Sequence, residues 1–116
     1  MNTQVRRVGP EEAALARAVA SVFKSAAITT EHAAEFLSSP ANYLIVAEAD
    51  GNLAGFALAY RLERLDRPAA QLLVYEVGVA PDLRRRGIGA GLMAFVRQIV
   101  AAGAPHGGLR GHGGGQ

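Results

Sequence analysis

The chain has no cysteine, which removes disulfides, thiolate zinc sites and cysteine nucleophiles before any motif is read. It also has no long apolar run. Nothing after the first basic residues resembles a secretory core, and no segment approaches the ~20 apolar residues of a membrane span. A soluble, cytoplasmic protein with no membrane partner is therefore expected. Charge of one sign is scarce as well: 12 Lys and Arg stand against 10 Asp and Glu, a formal net charge of +2. So small an excess argues against a long nucleic-acid track. Three arginines cluster at Arg84, Arg85 and Arg86, where local positive charge suits a single anionic ligand. Only three histidines are present. His32 sits among alanine and glutamate and reads as a surface residue, while His106 and His112 have no nearby carboxylate. No metal site is expected.

What remains is a chain of 116 residues, half of them apolar, enough for one domain with a modest core. Gln4 to Val8 reads as a short strand. Gly9, Pro10, Glu11 and Glu12 mark a helix start, followed by Leu15, Val19, Val22, Phe23 and Ala26 at helical spacing. A second, short helix starts at Thr29 or Thr30 as N-cap, buries Ala33, Phe36 and Leu37, and stops before Pro40. Asn42 to Ala49 and Leu53 to Leu62 read as strands of an antiparallel hairpin turning at Asp50-Gly51-Asn52. A third strong run covers Gln71 to Val79, and Gly89 to Ala102 forms a helix with Leu92, Val96 and Ile99 on one face. The fold class is thus α+β, a mixed architecture with a mainly antiparallel sheet flanked by helices, in the order β-α-α-β-β-β-α. Residues 1–102 form the domain. Residues 103–116, with seven of the fourteen glycines, are expected to be a disordered tail.

The segment from Val77 to Leu92 carries the chemistry. It joins an apolar strand to an amphipathic helix through a turn of arginine and glycine. A helix N-terminus leaves amide hydrogens unpaired and carries partial positive charge, so a phosphate there gains hydrogen bonds and roughly 0.3 to 2 kcal/mol of dipole interaction. Gly87, Gly89 and Gly91 keep side chains out of the way, and Arg84, Arg85 or Arg86 adds charge-assisted bonds. A Walker loop would need Lys and then Ser or Thr after its last glycine, and neither is present. A dinucleotide fingerprint would begin at the strand's end and place its third glycine where Leu92 stands.

Arg84-x-x-Gly87-x-Gly89, following a strand that ends in Val79-Ala80-Pro81, resembles the acetyl-coenzyme A signature of the GCN5-related N-acetyltransferase (GNAT) superfamily. Within it, Glu35 to Val100 is most similar to the aminoglycoside 3-N-acetyltransferases of the gentamicin-resistance type. The similarity lies in Ala59-Tyr60-x-Leu62, the Arg67-Pro68 turn and Val74-Tyr75-Glu76-x-x-Val79. The resemblance implies acetyl transfer from acetyl-CoA, as co-substrate and without a metal, to a primary amine such as the 3-amino group of an aminoglycoside antibiotic. It further implies that Val77, Gly78, Val79, Arg84, Arg85, Arg86, Gly87, Ile88, Gly89 and Ala90 hold the cofactor, largely through the main chain.

Glu76 is the candidate general base, because the attacking amine arrives protonated. The aminoglycoside relatives carry Asp there, so Glu lengthens the arm by one methylene. Strand alternation puts Leu72, Val74, Glu76 and Gly78 on one face and Tyr75 on the other, as a core aromatic. A polycationic acceptor calls for carboxylates, and Glu63, Asp66 and Glu76 are the acids near the presumed cleft. The superfamily continues past this point with a fifth strand, a helix bearing a tyrosine that protonates the coenzyme A thiolate, and further strands. Their absence here implies a C-terminally truncated domain whose fourth strand has an open edge, prone to pairing with a second copy. The alternative function is a non-catalytic cofactor-binding or interaction fragment.

Overall fold

The computed structural model describes residues 1–103 and 109–111. In chain order the elements are β1 (Thr3–Arg7), α1 (Ala13–Lys24), α2 (Thr30–Ser38), β2 (Asn42–Ala49), β3 (Asn52–Leu62), β4 (Gln71–Val79), a 3-10 turn at Pro81–Leu83, α3 (Ile88–Ala101) and β5 (Leu109–Gly111). The sheet runs β1-β2-β3-β4-β5, the first four strands antiparallel and β5 parallel to β4. The three helices and four antiparallel strands follow the order read from the sequence.

Local chemistry accounts for the boundaries. Thr29 caps α2 by accepting the amide of His32 at 3.0 Å, which satisfies one of the orphan N–H groups at the helix start. The β2–β3 hairpin turns on Asp50 and Gly51, both at positive φ (51° and 83°), the pair of conformations that matches strand twist in a tight hairpin. The positive φ thus falls on Asp50 and Gly51 rather than on Asn52. Helix α1 ends at Lys24, where Ser25 takes the left-handed conformation and Ala26 donates to the Ala20 carbonyl at 3.0 Å. Val22, placed on the buried face by its spacing, is 63% exposed, while Ala16, Val19 and Ala20 carry that face instead.

The sheet is covered on both sides, which explains why β2 reads as a continuous apolar run. Tyr43, Ile45 and Ala47 of β2 pack with Ile88, Leu92 and Val96 of α3. Leu44 and Val46 face the other way, toward Ala16 and Val19 of α1 and Ala33 and Leu37 of α2. Ile88, Leu92 and Val96 are at most 2% exposed, each contributing roughly 1.5–3 kcal/mol of apolar burial. They anchor the start of α3 to the sheet. Gly55 lets them do so, since a Cβ there would lie 3.2 Å from Ile88 and 3.3 Å from Leu92.

One register shift changes the reading of β4. Leu58 pairs with Glu76 but Ala59 pairs with Val74, so the register shifts by one residue at Tyr75. This bulge reverses the alternation behind it. Leu72 and Val74 lie in the core beneath α3, whereas Glu76 and Gly78 face α1, where Lys24 bonds Glu76 and a Cβ on Gly78 would meet Phe56 and Phe23. The expectation that Leu72, Val74, Glu76 and Gly78 share a face is therefore corrected. Tyr75 is no core aromatic either: it is 41% exposed and meets the ring of Tyr60 edge-on at 5.6 Å.

Within the segment expected to be a disordered tail, Leu109–Gly111 pairs with Leu72–Val74. The open edge of β4 offers unpaired N–H and C=O groups that a backbone can satisfy without a core of its own. Residues 104–108 and 112–116, His106 and His112 among them, lie outside the described residues.

Candidate active site

The site follows β4 from its bulge to the turn before α3. The Ala80 amide donates to the Ala54 carbonyl at 2.8 Å and extends the β3–β4 ladder past Val79. Antiparallel strands alternate inward and outward backbone groups. With Ala80 bonded inward, Gly78 and Glu76 also address β3, while the N–H and C=O groups of Val77 and Val79 address the outer edge. Among the described residues β5 covers only Leu72–Val74 of that edge. Val77 is 42% exposed.

Beyond Ala80, the turn closes with Leu83 donating to the Ala80 carbonyl at 2.9 Å. Arg85 and Gly87 then adopt positive φ (67° and 80°), which swings the backbone round so that α3 starts at Ile88. Gly91 makes the first helical bond, to the Gly87 carbonyl at 2.9 Å, and no side chain caps the helix. The amides of Ile88, Gly89 and Ala90 thus precede the first bonded donor and point out of the helix end. Arg84, Arg85 and Arg86 are exposed and enter no ion pair among the described residues. A Cβ on Gly89 would find only Val79 Cγ2, at 3.8 Å, so space above the helix end is open. Bare amides, a helix dipole and uncommitted guanidinium groups together fit a diphosphate.

Glu76 stands three residues before Val79, about 10 Å back along the strand. Its Oε1 accepts from Lys24 Nζ at 2.5 Å, across 52 residues of sequence, with the two side chains 35% and 40% exposed. Around the pair lie Tyr60 and Tyr75. The Tyr60 phenol is pushed above its ordinary pKa first by burial, then by the proximity of Tyr75 and Glu76, while Lys24 opposes the shift. Lys24 and Tyr60 also line a cavity of about 220 Å³ between α1, α2 and the sheet, whose other walls include Val19, Phe36, Phe56 and Leu58. The cavity wall is almost wholly apolar, with Lys24, the partner of Glu76, at its edge.

Glu63 and Asp66 fall elsewhere. They follow Leu62, which pairs with Gln71 at the opposite end of β4 from the arginines, about 13 Å along the strand from Glu76. Each is already paired, Glu63 with Arg61 at 2.9 Å and Asp66 with Arg64 at 3.2 Å. The Asp66 carboxyl is held below its ordinary pKa by its own backbone amide, then by Arg64 and Arg67. Thus β4 brings Glu76, Val77 to Val79 and Arg84 to Ala90 into one line and leaves Glu63 and Asp66 at its far end. Lys24, Tyr60 and the cavity have no local sequence signal, because only the packing of α1 and α2 on the sheet assembles them. No cluster of three potential metal ligands occurs among the described residues, and none of their helices is long and apolar enough to cross a membrane.

Among the described residues, an open stretch of the β4 edge thus leads into an uncapped helix start. The sequence model of the acetyltransferase (GNAT) family matches residues 14–104, and the chain belongs to that family of N-acetyltransferases. Among solved structures, the fold is similar to an aminoglycoside acetyltransferase, HMB0005, from an uncultured soil metagenomic sample. The TM-score is 0.88 at 21% identity, over 97% of this chain and 80% of that one. A second soil-metagenomic aminoglycoside acetyltransferase, meta-AAC0020 in complex with sisomicin, is similar at TM-score 0.78 and 19% identity, over 95% of this chain and 76% of that one. The ribosomal-protein-alanine N-acetyltransferase of Brucella melitensis biovar Abortus 2308 gives a TM-score of 0.79 and 19% identity, over 96% and 79%. Identities this low express a common fold. No curated protein matches the chain.

Proposed function

We propose that this chain transfers acetyl from acetyl-CoA to a primary amine, with an aminoglycoside as acceptor, the chemistry of an antibiotic-resistance enzyme. The carrier supplies an activated thioester carbonyl; everything else is done by groups of the chain. The amides of Ile88, Gly89 and Ala90 bind the diphosphate, with Arg84, Arg85 or Arg86 adding charge. The outward backbone of Val77 and Val79 aligns the pantetheine arm, and an N–H there polarises the carbonyl oxygen as negative charge develops. Glu76 removes a proton from the acceptor's ammonium, directly or through one water, and frees the nitrogen lone pair for attack. The C–N bond forms, the thioester C–S bond breaks, and coenzyme A leaves as a thiolate that takes up the second proton shed by the attacking nitrogen, through solvent water.

The observation that carries this reading is that Glu76, the backbone edge of Val77 to Val79 and the uncapped start of α3 follow one another along β4 and the turn beyond it. Aminoglycoside acceptors are supported by the two soil-metagenomic neighbours, one of them holding sisomicin. Glu76 is the acid on that line; Glu63 and Asp66, paired with Arg61 and Arg64 at the far end of β4, would serve only the distal ammonium groups of a long polycation. The test is thiol release from acetyl-CoA in the presence of gentamicin or sisomicin, with calorimetric titration of acetyl-CoA alongside. Acetyl-CoA binding without turnover on any amine would leave the second reading, a cofactor-binding or interaction fragment. The edge of β4 from Val77 to Val79, which no described strand covers, favours that reading, since it also suits pairing with a second copy. Another small amine or a protein terminus as acceptor is favoured by the apolar cavity beside Glu76.

A further inference from the structure

We propose that Lys24 is a specificity-determining residue: its ammonium holds the place on Glu76 that the acceptor's ammonium must take. The inference rests on Glu76 as the base. Lys24 is the last residue of α1, and its position is fixed from both sides. Val19 and Ala20 bury the helix, Phe23 packs on Phe56 with ring centroids 5.0 Å apart, and the left-handed Ser25 ends the helix there. From that anchor the side chain reaches across β4 to Glu76 Oε1 and lines the mouth of the cavity. Among the described residues Lys24 is the one basic partner of Glu76.

An ammonium tethered in this way is an internal competitor. A side chain held within reach has an effective concentration in the millimolar range, comparable with or above typical Michaelis constants. An incoming amine must therefore displace it, and a cation can do so without leaving Glu76 unpaired. A neutral alcohol or thiol brings no charge to replace the one that leaves. The pair thus selects charged amines over other nucleophiles. Both side chains are more than a third exposed, so the competition is mild: removing it lowers the acceptor's KM by about 1.5- to 5-fold, the range of an exposed ion pair.

The test is Lys24→Met, which keeps an unbranched apolar stem and loses the charge, with sisomicin as acceptor at saturating acetyl-CoA. The expected result is a KM lowered within that range, an unchanged kcat, and wild-type KM in Lys24→Arg. An unchanged or raised KM in Lys24→Met overturns the proposal, as does the same fall in Lys24→Arg. If neither protein turns over, calorimetric titration of sisomicin into the coenzyme A-bound proteins reads the same ratio, and binding to neither overturns it. Glu76→Gln separates the two levels. Turnover that survives Glu76→Gln refutes the base itself, whereas turnover lost there with KM unmoved in Lys24→Met refutes the competition alone.

Discussion

Gly89→Asp places a carboxylate where the diphosphate is expected, and the structure gives opposite signs for its effects on folding and on binding. A Cβ at this position lies 3.8 Å from Val79 Cγ2, an ordinary contact, so no neighbour has to move. Replacing glycine inside a helix recovers a few tenths of a kcal/mol of backbone entropy. A carboxylate in the first turn adds about 0.3–1 kcal/mol from the dipole. The melting temperature is therefore expected to hold or to rise by a few degrees, at roughly 4 °C per kcal/mol for a domain of this size. The same carboxylate takes up the amide donors and repels the ligand. Losing one charge-assisted bond costs about 1.5–3 kcal/mol, so acetyl-CoA affinity should fall by roughly 10- to 100-fold. Calorimetric titration measures the affinity and thermal denaturation measures the fold, with Gly89→Ala as the uncharged control. Unchanged affinity in a folded Gly89→Asp protein would refute the placement of the diphosphate at α3.

Glu76→Gln should lower kcat by about 10²- to 10⁴-fold while acetyl-CoA affinity stays at the wild-type value, measured by thiol release and calorimetry. Gly55→Ala brings a Cβ to 2.8 Å from the Gly78 carbonyl oxygen; backbone has to shift, and urea unfolding should register a loss of about 1–3 kcal/mol. Leu92→Ala empties a fully buried position on the sheet-facing side of α3 and should cost about 2–5 kcal/mol. The Glu12 carboxyl is held below its ordinary pKa first by the Gly9 amide and then by Arg6. A depressed pKa means that the folded state releases this proton more readily. Its stabilisation is thus present above the ordinary carboxylate range, near pH 4.3, and disappears as pH falls through the lowered value. Glu12→Gln should flatten that part of the acid-unfolding profile, and an identical acid limb would exclude the assignment.

The elements were legible because their signals are local. Thr29 caps, Pro40 stops a helix, Asp50-Gly51 turns a hairpin, and the β2 run is apolar on both faces because helices cover both. The uncapped start of α3 was legible for the same reason: the turn of arginine and glycine that leads into it lies within ten residues. What escaped depends on partners far away in sequence. The bulge at Tyr75 is a property of the register against β3, invisible in the alternation of β4 alone, and it moved Glu76 to the α1 face and Tyr75 out of the core. The Lys24–Glu76 pair spans 52 residues, and nothing around either residue announces the other. Gly55 and Gly78 look like weak points in apolar strands until their neighbours, Ile88, Leu92 and Phe56, are in place. The pairing of Leu109–Gly111 with β4 was hidden because its glycine-rich sequence carries no strand pattern, and the edge it meets supplies the reason for order.

The register shift in β4 also divides that strand by tolerance to substitution. Upstream of Tyr75, side chains are wedged beneath α3, and a change there is felt first as a loss of folded protein. Downstream, Glu76 points to the opposite layer and Val77 is exposed, so a change at either leaves the fold in place, whereas Gly78 and Val79 stay packed against Phe56 and the core. A saturation survey scoring abundance and activity separately should therefore show the two scores parting company at Glu76 and Val77.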